Sequence, residues 1–153
     1  MFERIKKILI VLLWFVQFAL CLAIKYLEKL SRVKAGVNHH LYFKKEEYMQ
    51  MFFTDEKIRI MFICALVLLA FALLLMMVAK NKKNIWMGLG TINQCLWSSV
   101  FIYDLIAKSA LESIVYPYAM FVLSINIVIA VVMILLGASL QTKVKIQENI
   151  NNK

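Results

Sequence analysis

Four long apolar segments alternate with polar connections along this chain. A helix of roughly 20 apolar residues crosses a hydrocarbon core about 30 Å thick, and in lipid every backbone polar group must be satisfied within the spanning structure. The pattern therefore predicts an all-α membrane protein, a four-transmembrane-helix bundle. The segments that contain no Lys, Arg, Asp or Glu are residues 8–24, 60–79, 85–103 and 114–140.

The helices are expected to be somewhat longer than these uncharged segments, and to form one domain of residues 1–153. No Gly or Pro occurs between Arg4 and Lys34, so the first helix is expected to continue beyond the bilayer. The predicted spans are residues 6–26, 58–79, 85–106 and 114–140, each bound being approximate.

The connection at about residues 27–57 is expected to be an extramembrane loop, because it mixes charged, aromatic and histidine residues. Thr54 or Asp55 can cap the helix that follows. His39 and His40 are adjacent, and no third ligand is spaced for zinc. We therefore expect neither a metal site nor a cofactor.

Composition supports the membrane class. Hydrophobic residues make up 63% of the 153 positions and charged residues only 18%, which leaves little polar surface for a soluble domain. The formal charge is +9, which in a soluble protein would suggest nucleic-acid binding. Here Lys and Arg cluster at the ends of apolar segments, where they orient helices and meet anionic head groups, so no direct nucleic-acid partner is expected.

Orientation depends on the basic connections. Nine Lys and Arg residues would lie on each side of the membrane, so the count alone does not decide the orientation. The short connection after the second segment is basic and contains no acidic residue, which favours a bacterial inner-membrane protein with both termini in the cytoplasm. The basic residues of that face can contact anionic lipid or dock an acidic soluble protein. The candidate docking residues are Lys80, Lys82, Lys83, Lys143 and Lys145.

The third segment is unusually polar. Its polar residues fall on two nearly opposite sides of a helix. Thr91, Gln94, Ser98 and Ser99 share one side, and Asn93 lies on the other. They can bond to neighbouring helices, with Gly88 and Gly90 allowing close approach, or line a polar lumen. The candidate lumen or helix-interface residues are Gln17, Thr91, Asn93, Gln94, Ser98, Ser99 and Asn126.

Two further expectations follow from this segment. Asp104 and Lys108 are four positions apart, which suits a helical ion pair; the alternative is a proton or cation site. A helix in a four-helix bundle also has lipid-facing surface, so a second polar side favours a partner protomer, and hence a homo-oligomer.

Function is less constrained than fold. The chain contains no HExxH or CxxC motif and no Ser/His or paired-Asp arrangement in its spans, so we expect no enzyme. In size and Lys- and Asn-rich style it resembles small four-span proteins of bacterial accessory systems, including anti-phage defence and bacteriocin immunity. The first hypothesis is a homo-oligomeric pore-like, membrane-perturbing or sensing subunit that works with a soluble cytoplasmic partner. The alternative is a non-conducting anchor or immunity-type protein, and an ion or small-solute transporter ranks third.

Overall fold

The chain folds into long helices. A computed structural model describes residues 2–81, 84–107 and 113–151, and the side chains of all of these except residue 2 and residues 141–151. Within these ranges no strand occurs, so the all-helical prediction is confirmed. The helices are α1 (Phe2–Val33), α2 (Ala35–Phe52), α3 (Asp55–Asn81), α4 (Ile85–Ile106) and α5 (Tyr116–Asn151).

Three of the helices described here are long and apolar enough to cross a membrane, namely α1, α3 and the Tyr116–Leu140 part of α5. This is consistent with a membrane protein. In the apolar stretches of α1 and α3 only 11% of residues are buried within the bundle, against 39% in α5. Helices α1 and α3 therefore present large apolar surfaces, which water would not solvate favourably.

The four-span count is not confirmed by composition. Helix α4 has 22 residues, which is enough length to span, but it is not among the helices apolar enough to qualify. Its Asn, Gln, Thr and Ser residues dilute its hydrophobicity, and several of them are buried inside the bundle.

Helix α4 lies between its neighbours. It packs mainly on α3 and α5, and α5 also packs on α1. The face of α3 that is buried carries Ala65, Ala72 and Ala79, each no more than 3% exposed. These alanines recur every seventh position, so they form one stripe, and small side chains let helix backbones approach closely.

Two glycines set the distance between α4 and α5. A Cβ atom added to Gly137 would lie 2.7 Å from the backbone nitrogen of Met87, and one added to Gly90 would lie 3.0 Å from that of Ile134. The expected close approach at Gly90 is therefore confirmed. At Gly88 a Cβ atom would meet nothing within 4 Å, so this glycine is not needed for packing.

The expected loop at residues 27–57 is largely helical. Helix α1 continues to Val33 as expected, and α2 follows after a single non-helical residue, Lys34. Charge and aromatic content suggested a loop, but α2 contains no Pro, and its Lys44–Glu47 pair at 2.5 Å spans one helical turn. The start of α3 agrees with the sequence, since the Ile58 amide donates to the Thr54 carbonyl at 2.9 Å.

Aromatic rings gather at one end of the bundle, which we call the aromatic end. Rings from the C-terminal part of α2 and the residue after it pack on rings from the first turns of α5, with centroids 5.5–5.9 Å apart. These contacts fix the end of α2 against α5. The rings are those of Tyr48, Phe52, Phe53, Tyr116, Tyr118 and Phe121.

The opposite end, the basic end, joins the first turns of α1 to the start of α4 and to residues 137–139 of α5. Lys6 Nζ donates to Ser139 Oγ at 2.7 Å, and Lys7 Nζ lies 5.8 Å from the ring centroid of Trp86. Asn84 Nδ2 donates to the Gly137 carbonyl at 3.0 Å. The N-terminal turns of α1 and the C-terminal half of α5 therefore share one end of the bundle.

Candidate functional site

Buried amides link α1, α4 and α5 near the middle of the bundle. Asn93 Nδ2 donates to Gln17 Oε1 at 2.9 Å, and Gln17 Nε2 donates to the backbone carbonyl of Asn126 at 2.9 Å. Trp97 Nε1 donates to Asn93 Oδ1 at 3.0 Å. The side-chain Nδ2 of Asn126 donates to Cys21 Sγ at 3.6 Å. We call these five residues the amide network.

The amide network is a helix-to-helix connection. Gln17 is 2% exposed, Asn93 6% and Asn126 0%, so bulk water does not compete for their hydrogen bonds. Interhelical bonds of this kind contribute roughly 0.6–2 kcal/mol each in membrane proteins. Because α1 is otherwise mostly exposed, we expect these bonds to be important for holding α1 on the bundle.

The second polar side of α4, formed by Thr91, Gln94 and Ser98, is also buried. All three are no more than 1% exposed. Gln94 Nε2 donates to Ser98 Oγ at 3.1 Å, and Thr91 Oγ1 donates to the Gly88 carbonyl at 2.8 Å. We call these three residues the inner stripe; the bonds its side chains donate stay within α4.

Clusters of buried side chains join the inner side of α4 to both neighbouring helices. Ala79 of α3 belongs to one cluster with Met87 of α4 and Ile134 of α5, and Ala65 belongs to another cluster with Phe101 and Met120. The buried side of α4 therefore packs among residues of both α3 and α5.

Two amide oxygens in this core have no donor among the described residues, namely Gln94 Oε1 and Asn126 Oδ1. An unpaired buried acceptor costs about 1–3 kcal/mol of desolvation. The inner stripe and the amide network therefore each contain one buried acceptor without a donor among the described residues.

The structure does not gather all the expected residues. Ser99 is exposed, whereas Thr91, Gln94 and Ser98, which the sequence placed on the same side of α4, are buried. Ser124 Oγ donates to the Met120 carbonyl within α5 at 2.9 Å. Thr91, Asn93, Gln94 and Ser98 are all buried within a single chain, so the expected homo-oligomer is not required to bury them and stays a prediction.

The charged candidates are only partly described. Asp104 is half-buried and Lys80 is exposed. The Asp104–Lys108 ion pair cannot be followed, because Lys108 lies outside the described residues. The same holds for Lys82 and Lys83, and for the side chains of Lys143 and Lys145.

Sequence reasoning missed two positions at the basic end. The Asn84 side chain caps α4 by accepting from the Met87 amide at 3.2 Å, while also donating to α5. An Asn directly before an apolar helix is a recognisable N-cap signal. Gly137 had no such signal, because only the packed structure shows that its missing Cβ is required.

The described residues hold no group of three His, Cys, Asp or Glu side chains able to bind a metal ion, and all three cysteines are free. A comparison with known protein families, characterised proteins and solved structures finds no match for this chain.

Proposed function

We propose that this chain is a non-enzymatic integral membrane protein in which α1, α3, α4 and α5 all cross the bilayer. Its function is that of a non-conducting anchor or immunity-type protein in a bacterial accessory system. Both termini lie in the cytoplasm, where the basic end contacts anionic lipid and can dock an acidic soluble partner.

The case for α4 as a fourth span rests on its surroundings. It lies alongside α3 and α5, so a membrane that contains those two helices also contains α4. Its buried positions carry the polar residues, whereas its outer positions Ile92, Leu96 and Val100 are apolar and exposed. This inside-out distribution suits a helix whose outer face meets lipid.

The observation that carries the non-conducting function is the burial of the polar residues. Thr91, Ser98 and Asn126 are 0% exposed, and Gln94 is 1% exposed. Side chains that line an open lumen would be exposed to water. These groups instead act as interhelical or intrahelical hydrogen-bonding groups.

A flux assay tests this proposal. The protein is reconstituted into liposomes, and release of trapped potassium and of a small dye is compared with protein-free liposomes and with liposomes containing a known channel. We expect release no faster than from protein-free liposomes, with co-sedimentation confirming that the protein is in the membrane.

A pore-like subunit is the second candidate, favoured by the two unpaired amide oxygens of Gln94 and Asn126. Such acceptors could contribute to a polar path in another conformation. Release that is abolished by Gln94→Leu and retained by Ser99→Leu would overturn the non-conducting function in favour of the pore. Ser99 is the matched control because it is an exposed polar residue of the same helix.

A further inference from the structure

An apolar groove runs along the outside of the bundle between α1 and α4. Its inner part encloses about 520 Å³ and is lined by α1 residues, among them Trp14 and Phe18, and by Trp86 and Leu89 of α4. This volume lies within the range of about 300–1,000 Å³ that is typical of small-molecule sites. A shallower part continues from it, since both parts share Val11, Phe15 and Trp86.

The shallower part ends at a cation. Lys7 belongs to its lining, is exposed, and lies 5.8 Å from the Trp86 ring centroid. A Lys ammonium over an indole ring is held there by a cation–π interaction. The groove therefore has an apolar length and a positively charged end. These features complement the apolar chain and the negative head group of an anionic amphiphile.

The length of the groove matches one leaflet. From Lys7 to Phe18 there are eleven helical steps, or about 16 Å at 1.5 Å per residue. Half of a hydrocarbon core is about 15 Å. If Lys7 lies at the head-group level, Phe18 and the adjacent amide network lie near the bilayer midplane.

We propose that the groove binds one acyl chain of an anionic phospholipid, with its phosphate beside Lys7. This inference rests on the membrane location proposed above. The chain lies along Val11, Phe15 and Leu89, and the lipid thereby fills the gap that α1 leaves against α4. The Lys6–Ser139 bond at 2.7 Å anchors the same turn of α1 and so positions Lys7 at the mouth of the groove.

Quenching of Trp86 by brominated lipid tests the proposal. A variant with Trp14→Phe and Trp97→Phe keeps Trp86 as its only indole, and is reconstituted in phosphatidylcholine with increasing fractions of brominated phosphatidylglycerol or brominated phosphatidylcholine. One basic contact at a membrane surface corresponds to about a fivefold preference. Half-maximal quenching is therefore expected at a roughly fivefold lower fraction of the anionic lipid.

Two charge variants identify the contact. Lys7→Gln is expected to remove the preference for the anionic lipid, while Lys29→Gln, an exposed cation farther along the same helix, is expected to leave it unchanged. Circular dichroism confirms that both variants remain helical.

The outcomes separate this inference from the proposed function. Equal quenching by the two brominated lipids, or a preference that survives Lys7→Gln, would overturn the lipid site and leave the membrane location intact. Absence of quenching by both lipids would overturn the lipid site. It would also overturn the membrane location only if the protein failed to co-sediment with the liposomes.

Discussion

At the residue scale, the buried polar residues on the two sides of α4 form different kinds of hydrogen bond. Asn93 of α4 donates a hydrogen bond to Gln17 of α1. Gln94 instead donates to Ser98 within its own helix, and its side-chain oxygen has no donor among the described residues. The helical period predicted that these residues lie on two sides of α4. It could not predict which side would meet a polar partner, since that depends on which residues of the neighbouring helices lie at the same level.

A double-mutant cycle measures the amide network. Gln17→Ala, Asn93→Ala and the double variant are compared by their free energy of unfolding in mixed micelles titrated with sodium dodecyl sulfate. We expect a coupling of about 0.6–2 kcal/mol, because each single variant leaves the other side chain buried without this partner. The matched cycle of Gln17 with exposed Ser99 is expected to give no coupling, and zero coupling between Gln17 and Asn93 would contradict the hydrogen bond.

At the element scale, the long apolar helices were predictable and their contacts were not. The extension of α1 to Val33 followed from the absence of Gly and Pro. Helix α2 was missed because its only buried residue is Leu41, so it carries no strong apolar period. The crossing of α4 and α5 at Gly137 depends on a backbone distance that no sequence pattern encodes.

Replacing Gly137 tests that crossing. Gly137→Ala places a methyl group 2.7 Å from the Met87 backbone nitrogen, and because backbone cannot move aside as a side chain can, we expect a loss of about 1–3 kcal/mol in stability. Gly88→Ala is the control in open space, where the better helix propensity of Ala is expected to leave stability unchanged or raise it by up to about 1 kcal/mol. Similar effects of the two substitutions would rule out the close contact.

At the scale of the whole molecule, the bundle has a polar centre and an apolar outside. The sequence predicted the helical class and most of the buried polar residues, since Gln17, Thr91, Asn93, Gln94, Ser98 and Asn126 all lie in the core. The homo-oligomer stays a prediction, although α1 and α5 supply partners for the Asn93 side of α4 within a single chain. Because these six residues are buried within one chain, the structure favours helix–helix contacts over a polar lumen as their role.

The central claim is that α4 crosses the bilayer as the buried middle of a four-span bundle. The most direct measurement is labelling with a membrane-impermeant maleimide in right-side-out vesicles. Cysteine is placed at exposed Lys80, before α4, or at exposed Ser113, after it. Serine replaces the three native cysteines, which keeps a hydrogen-bond acceptor at position 21 for Asn126.

The proposed topology predicts that Ser113→Cys reacts in intact vesicles and that Lys80→Cys reacts only after permeabilisation. The reverse pattern would keep four spans and invert the orientation. Labelling of both positions from the same side would contradict the account, because α4 would then not cross the membrane.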